Sequence, residues 1–231
     1  MKKGKVLREL LRQEGIITAP GVTTPLFARV AEERGFKVLF VTGAGLANMN
    51  FGLPDYGLVT MSENLELVKR INDNPDLPLI VDIDDGYGNP MNVYRTLREF
   101  SRLDLGAVIL EDQKAPKRCG HFEDHVVIPI PDMVNKIKAA REGSLDPDLV
   151  LFARTDANDA LERGKAYAEA GADVIFIEAP RTVEQMARIP KEMPVPTLIN
   201  LVEGGKTPML KNRELEKLGF KVVLYANAPL K

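Results

Sequence analysis

The feature that most constrains this chain is a repeat: a short run of branched and aliphatic residues followed by a stretch with helical spacing recurs along nearly its whole length. Residues 15–21 run through Ile16, Ile17 and Ala19 to Pro20 and Gly21 and predict a first strand, and residues 24–35 predict the helix behind it. Residues 37–42, 77–82, 107–110, 149–153, 174–177, 197–201 and 222–225 predict seven more strands. Between them, helices are predicted over 62–72 with Ser62 as its N-cap, 90–105, 131–142, 158–170, 183–192 and 212–218, whereas residues 43–61 are expected to form a long loop. Strands that are apolar on both faces need cover on both faces, and eight of them in alternation with helices close an α/β fold of the (β/α)₈ TIM barrel type. A single barrel domain over residues 1–231 suits that length. An open doubly wound sheet is the alternative, but Thr42-Gly43-Ala44-Gly45 lacks the further glycine of a dinucleotide-binding turn.

Charge and composition exclude several classes of partner. The net charge of −2 gives no electrostatic reason to expect nucleic acid. No stretch approaches the roughly 18 apolar residues of a membrane span, so no membrane association is expected. Residues 6–15 are amphipathic and charged, which predicts a surface helix in place of a signal peptide. A single cysteine rules out an internal disulfide framework and fits a reducing, cytoplasmic setting.

A barrel of this kind carries its chemistry at the C-terminal ends of its strands. There this sequence places Thr42, the cluster Asp82, Asp84 and Asp85, then Glu111 and Asp112, Arg154 and Asp156, Glu178 and Asn200. Clustered carboxylates repel one another unless a cation is present, and hard oxygen ligands suit Mg²⁺, with Mn²⁺ as the alternative ion. Asp85-Gly86 also fits a plain turn. Arg154 and Arg118 can present planar forks to carboxylates, so a cationic, metal-bearing pocket for a small polyanionic acid is expected. His121 and His125 lack partners for a zinc site.

The sole cysteine stands in Lys117-Arg118-Cys119-Gly120-His121, directly after the fourth apolar run. Neighbouring cations favour the thiolate and bring a thiol toward the range of a proton-transfer group. A lone cysteine can equally be a small buried hydrophobe.

These residues resemble the isocitrate lyase and phosphoenolpyruvate mutase superfamily, in its 2-methylisocitrate lyase-like branch. The resemblance is carried by the Lys117 to His121 segment together with Gly52-Leu53-Pro54-Asp55, Asp82-Ile83-Asp84, Glu111-Asp112-Gln113, Ala153-Arg154-Thr155-Asp156-Ala157, Glu178-Ala179 and Asn200-Leu201-Val202-Glu203-Gly204-Gly205-Lys206-Thr207-Pro208. It implies a Mg²⁺-dependent carbon–carbon lyase that cleaves a 2-hydroxy di- or tricarboxylate to pyruvate and a second carboxylic acid. In that reading Asp82 and Asp84 hold the metal with Asp55 and Glu111 in support. Thr42, Gly43 and Ala44 offer hydrogen bonds to the 2-oxo product, Arg154 pairs with its carboxylate, and Glu178 and Asn200 line the far side. Cys119 is the acid, and Lys117, Arg118, Gly120 and His121 close over the site as a lid. Oxaloacetate hydrolysis or decarboxylation, phosphonopyruvate chemistry and a catalytically silent barrel are the alternatives; Cys119 argues against phosphoryl transfer. Phe40 stands where related lyases offer a tyrosine. The resemblance further implies a homotetramer in which C-terminal helices are exchanged between subunits. The sequence is expected to lack that last helix, since it stops shortly after the eighth strand.

Overall fold

Eight parallel strands close on themselves in the computed structural model, which describes residues 1–118 and 126–226. In chain order they are β1 (Ile17–Val22), β2 (Leu39–Val41), β3 (Leu79–Asp82), β4 (Ala107–Glu111), β5 (Val150–Thr155), β6 (Val174–Ile177), β7 (Thr197–Asn200) and β8 (Val222–Tyr225). Each pairs with the next, and β1 pairs with β8 from Ile17 opposite Val222 to Pro20 opposite Tyr225, so the sheet has no free edge. The helices α1 (Lys3–Arg12), α2 (Pro25–Glu33), α3 (Gly43–Leu46), α4 (Met61–Asn72), α5 (Pro90–Phe100), α6 (Ile130–Gly143), α7 (Ala160–Glu169), α8 (Val183–Glu192) and α9 (Asn212–Leu218) fall before, between and around them. This is the expected (β/α)₈ barrel. No helix among the described residues is long and apolar enough to cross a membrane.

The period-two geometry of a strand divides the core in two. One set of side chains fills the lumen: Ala19, Phe40, Ile80, Ala107, Ile109, Val150, Phe152, Val174, Phe176, Leu198, Val222 and Leu224. Their neighbours, such as Leu39, Val41, Val81, Val108, Leu110, Leu151, Ile175 and Val223, pack outward against the helices. Burial at about 25 cal/mol per Å² of apolar surface makes this double core the main source of stability. The first helix, expected to be a surface helix, does more than that: Leu7 is fully buried in the lumen cluster, with Leu10 and Leu11 packed beside it. Gly21 is required where β1 meets the end of β8, because a Cβ there would lie 1.9 Å from the Ala226 carbonyl oxygen.

Local chemistry moves several predicted boundaries. Thr60, not Ser62, caps α4: its hydroxyl accepts from the Glu63 amide while the Glu63 carboxylate accepts from the Thr60 amide, a capping box. Residues 43–61 are not a plain loop, since α3 continues into a π-helical turn at Ala47–Phe51 that ends on left-handed Gly52. The fifth helix stops at Phe100, five residues short of the expected end, and a 3₁₀ turn at Ser101–Leu103 leads to left-handed Asp104. The helix expected from residue 158 begins at Ala160.

Candidate active site

Continuing the inward alternation past the apolar lumen brings the polar strand ends to one place. Thr42 follows Phe40, Asp82 follows Ile80, Glu111 follows Ile109, Arg154 follows Phe152, Glu178 follows Phe176 and Asn200 follows Leu198, each two residues on and so on the same face. All six are buried or nearly so. A cavity of about 360 Å³ is lined by Thr42, Ala44, Asp55, Asp82, Arg154, Glu178 and Asn200, and by the apolar Phe40, Val202, Leu224 and Ala226, among others.

The acidic corner is tight. Gly43 lets the Asp82 and Asp84 carboxylates approach the backbone, because a Cβ there would stand 3.0 Å from Asp82 Oδ2 and 3.3 Å from Asp84 Oδ1. The Asp84 amide donates to Asp82 Oδ1 (3.0 Å), and Asn64 Nδ2 holds the Asp82 carbonyl (3.0 Å). Lys117 Nζ reaches into this corner, 2.6 Å from Asp55 Oδ1 and 2.5 Å from Asp84 Oδ1. Burial pushes Asp84 up to about 6 despite Lys117, with Asp82 and Asp55 adding to the rise. For Lys117, burial opposes the charge, but Asp84, Glu111, Asp55 and Asp82 outweigh it and hold the ammonium well above its ordinary pKa.

Arg154 organises the other side. Its Nε and one terminal nitrogen donate to the two oxygens of Asp156 (3.0 and 2.9 Å), its other terminal nitrogen lies 3.1 Å from Glu111 Oε2, and the guanidinium sits 5.5 Å from the Phe176 ring centre. Glu178 Oε2 is 3.6 Å away. Burial raises Glu111 well above the carboxylate range although Arg154 opposes it, and raises Glu178 to about 7 against the same guanidinium. Arg154 is thus engaged by three carboxylates while it lines the cavity. Glu111 Oε1 has no hydrogen-bond donor among the described residues.

The alternate positions of the same strand ends do different work. Asp112 points outward, where it accepts from Thr155 Oγ1 (2.7 Å) and the Tyr167 hydroxyl (2.7 Å) and faces Arg163 at 3.2 Å. Arg163 also donates to the Ile128 carbonyl (2.8 Å), and the Ile128 amide donates to the Asp112 carbonyl (2.9 Å). This buried knot holds the base of the segment that carries Lys117. The sequence did not flag Arg163 or Tyr167, which occupy ordinary positions on an amphipathic helix.

Of the predicted site residues, Thr42, Ala44, Asp55, Asp82, Glu178, Asn200 and Arg154 line one cavity, and Gly43, Asp84, Glu111 and Lys117 adjoin it. Arg118 is exposed, with its backbone turned so that Lys117 takes the inward place. The expectations for Cys119, Gly120, His121 and His125 lie outside the described residues.

A family profile described as phosphoenolpyruvate phosphomutase matches residues 7–231. The chain is 43% identical over 236 residues to a 2,3-dimethylmalate lyase of Eubacterium barkeri, covering 100% of this chain and 82% of the relative. It is 40% identical over 228 residues to a 2-methylisocitrate lyase of Shewanella oneidensis, covering 96% of this chain and 78% of that one. The chain belongs to the phosphoenolpyruvate mutase and isocitrate lyase superfamily. Among solved structures, an oxaloacetate acetylhydrolase in complex with 3,3-difluorooxalacetate superposes on this superfamily member with a TM-score of 0.94 at 36% identity, over 99% of this chain and 81% of the other. A phosphonopyruvate hydrolase solved with oxalate and Mg²⁺ does so with a TM-score of 0.87 at 30% identity, over 100% and 82%.

The acidic corner fits a magnesium ion. Asp82 and Asp84 turn hard oxygens toward a common space over Gly43, and Glu111 Oε1 is a buried acceptor without a donor among the described residues. Among the described residues no three acidic, histidine or cysteine side chains form a cage of their own. An ion that keeps water and substrate oxygens in its shell needs only one or two carboxylates, as Mg²⁺ does.

Proposed function

We propose that this chain is a carbon–carbon lyase that cleaves a small 2-hydroxy di- or tricarboxylate carrying an alkyl group on the cleaved carbon, of the 2,3-dimethylmalate and 2-methylisocitrate kind, to pyruvate and a second carboxylic acid. The observation that carries the reading is the insertion of Lys117, two residues before Cys119, between Asp55 and Asp84 beside a cavity of about 360 Å³. That volume is at the small end of ligand sites. Its apolar lining residues, among them Phe40, Val202, Leu224 and Ala226, support an alkylated substrate.

The chemistry balances with one base and one acid. A carboxylate of the acidic corner takes the proton of the 2-hydroxyl, the carbonyl forms as the adjacent carbon–carbon bond breaks, and the electron pair left beside the second carboxylate accepts a proton from Cys119. Asp82 and Asp84, with Asp55 and Glu111 in support, would hold Mg²⁺, which would supply Lewis-acid polarisation of the oxygen that becomes the 2-oxo group. Arg154, already paired with Asp156 and Glu111, offers a fixed guanidinium to the pyruvate carboxylate. The buried Lys117 ammonium balances the surrounding carboxylates. The same reading includes a cytoplasmic homotetramer, for which Leu26 and Val30, exposed on α2, offer apolar contact surface.

Likeness to oxaloacetate acetylhydrolase favours a second reading, hydrolysis of oxaloacetate. Both are tested by offering 2,3-dimethylmalate, 2-methylisocitrate, isocitrate and oxaloacetate separately, with and without Mg²⁺, and identifying the products. Metal-dependent pyruvate release from a hydroxy acid supports the lyase. Oxalate and acetate from oxaloacetate alone would replace it with the hydrolase, and no turnover of any of the four would overturn both.

A further inference from the structure

The segment after β4 would swing freely if it were joined to the barrel only by its ends, yet the ammonium of Lys117 must be held within hydrogen-bond distance of two carboxylates. Gln113 supplies the restraint. Its side-chain amide is buried and bonds the backbone of Arg118 twice: Nε2 donates to the Arg118 carbonyl (2.9 Å) and Oε1 accepts from the Arg118 amide (2.9 Å). That pair closes a ring across residues 113–118 as a backbone pair would. The far leg is tied alongside, with the Lys114 amide donating to the Val126 carbonyl (2.7 Å) and Gln113 bridged antiparallel to Val127.

We infer that Gln113 is the positioning residue of this segment: by clasping Arg118 it fixes the backbone that aims Lys117 at Asp55 and Asp84. It does not line the cavity of about 360 Å³ and acts through Lys117. An amide suits the task because it donates and accepts at once; a glutamate keeps the acceptor but turns a second oxygen to the Arg118 carbonyl. The placement of Lys117 stands on the geometry alone, whereas the consequence for turnover rests on the lyase reading.

The test compares the wild type with Gln113→Leu and Gln113→Glu under native conditions. Trypsin cleavage after Lys117 and Arg118 is followed by mass spectrometry, beside kcat and KM on whichever hydroxy acid the wild type cleaves. Loss of two hydrogen bonds predicts an increase of about thirtyfold in cleavage at those two positions for Gln113→Leu, with other tryptic sites unchanged. The increase for Gln113→Glu should be smaller. The kcat of Gln113→Leu should fall at least tenfold, with KM changed less than threefold. Unchanged cleavage at Lys117 and Arg118, or an increase spread evenly over all tryptic sites, would overturn the inference. Should the wild type cleave none of the substrates, the lyase reading fails while the trypsin result still decides the clasp.

Discussion

Replacing Arg163 with methionine should destabilise the barrel and loosen the segment that carries Lys117. The guanidinium is buried, faces Asp112 Oδ2 at 3.2 Å, donates to the Ile128 carbonyl at 2.8 Å and bonds the Tyr167 hydroxyl at 3.1 Å. Methionine keeps much of the volume and removes the charge, leaving Asp112 buried with only Thr155 and Tyr167 as side-chain donors among the described residues. Breaking a buried pair by removing one partner costs about 3–5 kcal/mol, and the two remaining hydroxyl donors place this case at the lower end, ~3 kcal/mol. For a chain of this size each kcal/mol moves the midpoint by roughly 2–4 °C, so a fall of about 6–12 °C is expected. Thermal unfolding followed by circular dichroism measures it, and a double-mutant cycle with Asp112→Asn should show the two changes to be less than additive by ~1 kcal/mol or more. A fall under ~2 °C, or strict additivity, would refute the view that charge pairing at Asp112 holds this knot together.

Other outcomes follow from the same geometry. Asp173 is held below the usual carboxylate range: burial opposes this, but hydrogen bonds from Arg8, Arg141 and the Leu151 amide prevail. Because its folded pKa lies below its unfolded one, its stabilisation is complete above about pH 4 and is lost as pH falls through the folded value. Urea midpoints of Asp173→Asn should therefore lie below the wild type at pH 7, with the gap narrowing below about pH 4; a constant gap would contradict it. Gly43→Ala would force a Cβ to 3.0 Å from Asp82 Oδ2, so Mn²⁺ binding measured by electron paramagnetic resonance should weaken about tenfold with little change in circular dichroism. Lys117→Met should lower kcat by at least about a hundredfold, and it should tighten Mn²⁺ binding because Asp55 and Asp84 lose their ammonium. Weaker binding would show that Lys117 assists the ion instead of opposing it.

Much of the site was legible because strand periodicity is a local property. Once eight apolar runs are assigned, the inward side chain at each C-terminal end follows from counting by two, and Asp82, Glu111, Arg154, Glu178 and Asn200 share a face with the lumen residues below them. The same count separates Glu111, in the site, from Asp112, in the outer knot. Capping was less legible: Thr60 and Ser62 are both acceptable caps, and the reciprocal bond with Glu63 selects Thr60.

What the sequence determined alone was the barrel, the two-sided core and the set of residues at its mouth, since these depend on spacing along single elements. Which of those residues pair depended on barrel closure. Lys117 meets Asp55 and Asp84, 62 and 33 positions away in the chain. Arg154 is shared among Glu111, Asp156 and Glu178, and Gln113 closes on Arg118. Such pairs form because burial strips water from the charged and polar groups, and each must then find its partner among the neighbours that barrel closure brings near.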